Sequence, residues 1–129
     1  MIRLKAKDIK KIRQDLLLAQ GNKCAICGED VIDAVLDHDH KTGLIRAVLH
    51  RQCNAFLGRI ENNAPRHQIT DLTSYLANCS DYLLKYSVDQ TGMLHNTYKT
   101  VEEKKTRAKK KAKIARDKKK LTKETHNGL

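Results

Sequence analysis

The sequence has no tryptophan, one phenylalanine (Phe56), one proline (Pro65) and four tyrosines in 129 residues. So little aromatic bulk leaves a small domain short of core-filling side chains, and a metal staple or a second copy becomes a natural source of extra stability. No apolar run approaches the ~20 residues that cross a bilayer, which excludes a membrane-spanning helix. No segment repeats at a fixed period, which excludes a solenoid. The opening stretch MIRLKAKDIKKIRQ is basic, with no apolar h-region or small-residue cleavage site. No export leader is therefore expected, and the cysteines should meet a reducing cytoplasm.

What is present is charge, unevenly placed. There are 26 Lys/Arg and 15 Asp/Glu, a formal net charge of +11. Between Lys99 and Lys123, 13 Lys/Arg face 3 Asp/Glu, so this stretch carries nearly all of the excess. The length suits one domain with a tail, since domains usually run to roughly 100–200 residues. A nearly neutral body of about 98 residues thus carries a basic tail, and the tail points to a polyanion. A solubilising tail is the plainer alternative. A membrane-surface role is disfavoured because only Ile114 and Leu121 interrupt the charge with large apolar side chains.

The four cysteines are Cys24, Cys27, Cys53 and Cys79. Cys24-Ala-Ile-Cys27-Gly28 has the form of a zinc knuckle, in which a tight turn brings two thiolates onto one ion. His50-Arg-Gln-Cys53 repeats the spacing of three. Together they predict a Cys3His tetrahedron, closed to water and therefore structural. A redox pair or two buried thiols would be the plainer reading of Cys24 and Cys27. Cys79 competes with His50 for the fourth position, but it falls in an apolar stripe, Ile69, Leu72, Leu76, Cys79, Leu83 and Tyr86, at helical spacing. There it reads as a small core residue.

The rest of the chain orders itself around these pairs. A first helix is expected over 7–19, with Ile9, Ile12, Leu16 and Ala19 on one face and Gly21 ending it. Residues 34–40 and 44–49 read as two strands joined by the turn Lys41-Thr42-Gly43. A short helix should begin near Gln52 and reach about Ile60. Asn62-Asn63-Ala64-Pro65 breaks the chain, and Pro65 is placed to start a long helix ending near Tyr86. Ser87 to Asn96 reads as a linker, and the stretch from Lys99 as either disordered or a helix that forms on a polyanion. The expected fold class is α+β, mainly α: a zinc-stapled ββα core (hairpin plus helix) flanked by an N-terminal helix and a long C-terminal helix. The expected organisation is 1–62 for the core, 63–98 for a helical support or dimerisation region with linker, and 99–129 for the tail.

Asp37-His38-Asp39-His40 is the most unusual segment. A half-buried strand alternates polar with apolar residues, whereas here four ionisable residues follow Val35 and Leu36. Such a run suits metal-assisted hydrolysis of a phosphodiester. Asp37 would hold a hard cation, the Asn54 carbonyl oxygen would supply a second ligand, and a neutral His38 imidazole would take a proton from water. Mg²⁺ binds in this sparse manner, keeping several waters, and Mn²⁺ should substitute. A solvated strand edge or a second, histidine-rich zinc site are the alternatives.

Three stretches occur in order at matching spacing: Gly21-Asn22-Lys23-Cys24-Ala25-Ile26-Cys27, then Leu36-Asp37-His38-Asp39-His40, then Ile45 to Asn54 with His50, Cys53 and Asn54. They resemble the phage recombination endonuclease VII family, one of the His-Me (ββα-metal, HNH-like) nucleases, over about residues 9–60. The resemblance implies Asp37 and Asn54 as catalytic-metal ligands, His38 as general base and His40 as a further active-site histidine. It also implies an intertwined homodimer, for which the apolar faces of the first and last body helices offer surface. His50 stands where the better-known member has a third Cys, and Phe56 and Leu57 stand where that member has an acidic residue.

The expectation is therefore a Mg²⁺-dependent DNA endonuclease with structural zinc. It would act on branched or distorted DNA such as a Holliday junction, in the host cytoplasm if phage-encoded. A nicking enzyme without junction preference and a non-catalytic zinc-stapled DNA-binding protein are the alternatives. Phosphate contacts are expected from Arg46, Arg51 and Arg59 beside the site, and from Lys109, Lys110, Lys111, Lys118, Lys119 and Lys120 in the tail.

Overall fold

A computed structural model describes residues 1–128, in two units, Met1–Leu84 and Lys85–Leu129. In the first unit a single 3₁₀ turn, Ala6–Asp8, leads into helix α1, Ile9–Ala19. The Lys5 N–H donates to the Asp8 carboxylate at 2.9 Å and fixes this entry. Ile9, Ile12, Leu16 and Leu17 are half-buried, and α1 packs on both strands of the hairpin. Ala19, expected on that face, is exposed, and Leu17 takes its share. The helix ends as its glycine dictates. Gly21 turns left-handed at φ 65°, its N–H donates to Leu18 O and the Asn22 N–H to Leu17 O, each at 2.9 Å. This pair of crossed bonds satisfies carbonyls that the last turn would otherwise orphan.

Strands β1, Ala34–His38, and β2, Ile45–His50, form an antiparallel hairpin. Val35 pairs with Leu49 and Leu36 with Val48, but His38 pairs with Ile45. One residue of β1, Asp37, thus opposes two of β2, Arg46 and Ala47. This β-bulge bends the hairpin at the first residue of the ionisable run. The strands are shorter than expected at the turn end: beyond the His38–Ile45 pair a backbone bond still runs from Asp39 N–H to Leu44 O at 2.9 Å, and His40 falls in the turn. The Asp39 carboxylate accepts from the Lys41 and Thr42 N–H groups at 2.7 and 2.9 Å, and Gly43 closes the turn at φ 75°. Those donors hold the Asp39 carboxyl below its usual range, the Thr42 N–H foremost. Asp39 is a turn-forming residue.

Helix α2, Arg51–Asn63, follows β2 without a break and extends one turn beyond the expected end. Its inner face, at helical spacing, is Cys53, Asn54, Leu57, Gly58 and Glu61, while Phe56 is 65% exposed. Pro65 does not begin the next helix. It lies in a 3₁₀ turn, Ala64–His67, which stops where Gln68 goes left-handed at φ 60°. Helix α3 starts only at Leu72 and runs to Lys85. Asp71 caps it, accepting from the Ser74 N–H at 3.1 Å and its hydroxyl at 2.7 Å, a local bond that outcompetes the proline signal. Cys79 is only half-buried, and Tyr82 and Leu83 beside it are exposed. Of the stripe read as core, Ile69, Leu72 and Cys79 are half-buried, while Leu76, Leu83 and Tyr86 are exposed.

In the second unit, helix α4 spans Val101–His126. Thr100 and Glu103 exchange a reciprocal capping box, Thr100 N–H to the Glu103 carboxylate at 2.7 Å and Glu103 N–H to the Thr100 hydroxyl at 3.2 Å. The stretch expected to be either disordered or a helix formed on a polyanion is helical over Val101–His126.

The buried core of the described residues is small: Cys24, Val48, Leu49 and Ala64, with Asp37 the one buried charged residue. Full burial of Val48 and Leu49 contributes roughly 1.5–3 kcal/mol each. The outer edge of β2 is held by a side chain rather than a third strand. The Gln20 amide oxygen accepts from the Val48 N–H at 2.8 Å, and its NH₂ donates to Val48 O and Lys23 O, both at 2.9 Å. Gln20→Ala strands these backbone groups beside the core and should destabilise the zinc-loaded fold by roughly 1–3 kcal/mol, read as a lowered urea midpoint at unchanged zinc content.

Candidate functional site: a metal cluster joined to an acid–histidine strand

The loop after α1 is folded around its first ligand. Gly28 N–H donates to Cys24 O at 2.9 Å and Cys24 N–H to Glu29 O at 2.8 Å, and Gly28 takes φ 74°. Lys23 and Asp30 pair as an antiparallel bridge, with an ion pair at 2.8 Å. Cys24 is buried, and Ala25 N–H reaches Val48 O at 3.3 Å. The knuckle is thereby attached to the edge of β2.

His50 closes β2 and caps α2, and Cys53 lies in the first turn of that helix. The ligand atoms of Cys24, Cys27, His50 and Cys53 all lie within 4.8 Å of one another. A zinc tetrahedron with ~2.3 Å bonds to sulfur separates its ligand atoms by just under ~4 Å, so this donor set fits one ion with little adjustment. The imidazole is already oriented for it. Its Nε2 lies 2.8 Å from Asp30 O, which can only accept, so Nε2 carries hydrogen and Nδ1 faces Cys27 Sγ at 3.2 Å. Cys79, on α3, is outside the cluster.

The electrostatics of the cluster call for a cation. Burial works to raise the Cys24 thiol, but N–H donors from Cys27, His50 and Ile26 outweigh it and lower its pKa to about 6. Cys53 is pushed up to about 11, by desolvation first and then by Cys27 and Cys24. The His50 imidazole is raised, chiefly through its bond to Cys24, then by Asp30 O and Cys27. A second thiolate is unfavourable until a positive ion arrives, and zinc binding must release protons.

The strand residues lie across the hairpin from the knuckle's contact with β2. Asp37, at the bulge, is 5% exposed. Its carboxylate accepts from Arg46 Nε at 2.6 Å and Nη2 at 3.1 Å. Arg46 also donates from Nη1 to Glu61 of α2 at 2.6 Å. These bonds, Asp37 first and Glu61 second, raise the guanidinium pKa further, and they tie the hairpin to α2. His38 and His40 are exposed, their rings stacked 4.8 Å apart and parallel to within 1°. His40 also lines a cleft of about 430 Å³ with Lys41, Arg46, Glu61, Asn62 and Thr73. Asn54 sits half-buried beside the zinc ligand Cys53, so the cluster sets its place in the first turn of α2. No hydrogen bond joins Asn54 to Asp37 or His38 among the described residues.

Of the arginines singled out, Arg46 is committed to two carboxylates and Arg51 is paired with Asp33 at 2.6 Å. Arg59 is exposed on α2, and Lys109, Lys110, Lys111, Lys118, Lys119 and Lys120 are exposed on α4. Gln20 and Glu61 were not singled out from the sequence. Glu61 carried a readable signal, since Asn54, Leu57 and Glu61 fall at i, i+3 and i+7 on one helical face. No helix among the described residues is long and apolar enough to cross a membrane.

A sequence profile of the recombination endonuclease VII family matches residues 2–85, and no curated protein matches the chain. The match covers well over half of the 129 residues. The chain belongs to the recombination endonuclease VII family.

Cys24→Ser, or chelation of the wild-type protein, should unfold the 20–63 region, because metal binding and folding are coupled in a core this small. Circular dichroism and elemental analysis read the two together, and the wild type should hold one zinc per chain. Zinc affinity should rise with pH between about 5 and 8, because Cys53 and His50 still carry the protons that the ion must displace.

Proposed function

We propose that this protein is a Mg²⁺-dependent endonuclease that hydrolyses phosphodiester bonds in branched or distorted DNA, with the acid–histidine strand as its active centre. The observation that carries this reading is the bulge at Asp37. It turns one carboxylate inward beside α2 and leaves the next residue, His38, exposed at the strand end with the His40 ring stacked on it. A turn-forming Asp39 accounts for one of the four ionisable residues. Asp37, His38 and His40 are left for chemistry.

In this reading His38 takes a proton from the attacking water, and oxygen then bonds to phosphorus in line with the leaving 3′ oxygen. The P–O3′ bond breaks, the 3′ oxygen takes a proton from solvent, and His38 returns the proton it accepted to solvent, giving a 5′ phosphate and a 3′ hydroxyl. Asp37 and the Asn54 carbonyl would hold a hard divalent cation, which supplies charge neutralisation for the leaving oxygen. The donor set suits such an ion, since each Asp37 oxygen accepts one hydrogen bond from Arg46 and keeps a second lone pair. His40 lines the cleft beside His38 and would contact the phosphate or order the water. The zinc cluster takes no part in the reaction. It fixes Cys53, hence Asn54, against the hairpin.

DNA would be held by phosphate contacts, which position without reading sequence. Helix α4 carries 12 Lys/Arg against 4 Asp/Glu, and Arg59 is exposed on α2. The exposed Tyr75, Leu76, Tyr82 and Leu83 of α3 support a homodimer through that face, which would supply two active centres for paired cuts.

His38→Ala should keep the fold, the zinc and DNA affinity while slowing cleavage by ~10²–10⁴. The assay is plasmid relaxation with Mg²⁺ against chelator, followed by junction, nick, flap and linear substrates. No product in either tube would favour a zinc-stapled binding protein, and equal rates on all substrates would favour a nicking enzyme. Wild-type rates from His38→Ala would pass the base role to His40.

Removing residues from Lys99 onward should weaken binding to every sequence alike. Losing roughly 4–6 phosphate contacts would flatten the slope of log K against log salt by ~4–5. Sedimentation should give a mass of two chains, and a concentration-independent single-chain mass would remove the dimer.

A further inference from the structure

The cleft that His40 borders has the hairpin turn on one side and the approach to α3 on the other, where Ala64, Pro65, Ile69, Thr70, Leu72 and Thr73 line it. That second wall is held by its own backbone. Ile69 N–H donates to Ala64 O at 2.9 Å and Gln68 N–H to Pro65 O at 3.1 Å, and Asp71 caps α3 through Ser74. Ala64 is buried, and Ile69 and Leu72 are half-buried. At about 430 Å³ the cleft falls within the ~300–1,000 Å³ of ordinary ligand pockets. Its charges are mostly engaged already. Asp39 accepts from the Lys41 and Thr42 N–H groups, and Arg46 is paired with Glu61. Two carboxylates, Asp39 and Glu61, thus stand against two cations, Arg46 and Lys41, a balance that suits neither a metal ion nor an isolated phosphate.

What the cleft offers is apolar surface from Pro65, Ile69 and Leu72, edged by neutral polar groups. The Asn62 amide and the Thr70 and Thr73 hydroxyls bond to no protein group among the described residues, and neither does the Lys41 ammonium on the hairpin side. A nucleobase is an uncharged plane that is polar only around its edge, and it is read by apolar contact on its faces and hydrogen bonds to that edge. We propose that the cleft takes up one unstacked nucleotide of the DNA, with its base against Pro65, Ile69 and Leu72 and its phosphate beside Lys41. The proposal rests on the acid–histidine strand being the active centre, and continuity with that strand selects the nucleotide. His40 belongs to the cleft, and its ring lies 4.8 Å from that of His38. Nucleotides follow one another by about 3.4 Å along a duplex axis, so a strand with its phosphate at His38 brings a close neighbour to the cleft mouth. Hydroxyls that rotate and an amide with both donors and an acceptor can meet the edge of any base. The cleft would therefore read the form of DNA and not its sequence. Taking a base out of the stack costs least where it is mispaired or unpaired, as at a branch or a distortion, and that difference in cost becomes the preference.

The test needs binding and no catalysis. Four-way junctions carrying 2-aminopurine at a single position, moved stepwise outward from the branch, would be titrated with the full-length, zinc-loaded protein in the absence of Mg²⁺. This base brightens when it leaves the stack, and His40 supplies the only aromatic ring of the cleft lining to quench it. One position should brighten, and the same position in a fully paired duplex should not. Thr70→Leu and Thr73→Leu lie at exposed positions and each add bulk to the cleft. Each should abolish the brightening and lower the ratio of junction to duplex affinity by about tenfold, the scale of one base's contacts. Thr73→Ser keeps the space and the hydroxyl and should match the wild type. Zinc content and melting temperature identify the folded variants, and either filling variant suffices.

No brightening at any position of the junction overturns the proposal. So does brightening that survives in the folded filling variants, or a junction-to-duplex ratio that they leave unchanged. Cleavage beside the branch without brightening would keep the nuclease reading and remove the nucleotide from the cleft. Brightening that the filling variants abolish, in a protein that cuts no DNA, would uphold the cleft's role and remove the nuclease reading instead.

Discussion

Everything in the first unit depends on four side chains converging on one point. The hydrophobic core is too small to specify how a knuckle loop, a hairpin and a helix fit together, with Val48 and Leu49 the largest fully buried side chains among the described residues. The cluster of Cys24, Cys27, His50 and Cys53 does that work. Two ligands come from the loop, one from the last residue of β2 and one from the first turn of α2. One tetrahedron therefore fixes the loop against the strand edge and the strand against the helix. His50 is the pivot, since the same residue ends a strand, caps a helix and turns Nδ1 toward the thiols while Nε2 is held by Asp30 O. The arrangement also favours a cation, with Cys24 lowered by N–H donors and Cys53 raised by desolvation and then by Cys27 and Cys24.

The second organising interaction is ionic and sits at the other end of the hairpin. A β-bulge turns Asp37 into the interior, where a lone carboxylate would be costly. Arg46, opposite the bulge on the neighbouring strand, satisfies it and reaches on to Glu61. Hairpin and α2 are thus joined twice: at the start of the helix by the metal ligands, and near its end by the shared guanidinium. Between these anchors lies Asn54. A helix held at both ends against a bent hairpin is a rigid frame, the condition under which polar groups can be kept in position for chemistry.

The two long C-terminal helices use their surfaces differently. Helix α3 exposes Tyr75, Leu76, Tyr82 and Leu83 along one side, a face whose spacing is that of a core helix. Helix α4 shows no such side, as Lys and Arg occur around its whole circumference and only Ile114, Leu121 and Val101 are large and apolar. Its helix is defined by an N-terminal capping box and not by burial, which suits a segment whose partner is a line of charge.

Local chemistry wrote much of this into the sequence. The cysteine spacing with His50 gave the metal cluster, Gly21 the end of α1, Gly43 the hairpin turn, and the interrupted strand pattern the segment Asp37–His40. Each of these is fixed within a few residues, by a ligand spacing, a left-handed glycine or a polar run where apolar residues belong. The tertiary structure decided what depends on partners distant along the chain. The bulge that buries Asp37 needs β2 in register. The division of Arg46 between Asp37 and Glu61 needs α2 laid across the hairpin. The clamp of Gln20 on Val48 spans 28 positions. Pro65 misled because the proline signal is local while the start of α3 is set by the stronger Asp71–Ser74 cap. Cys79 misled because helical periodicity marks an apolar face but says nothing of what covers it.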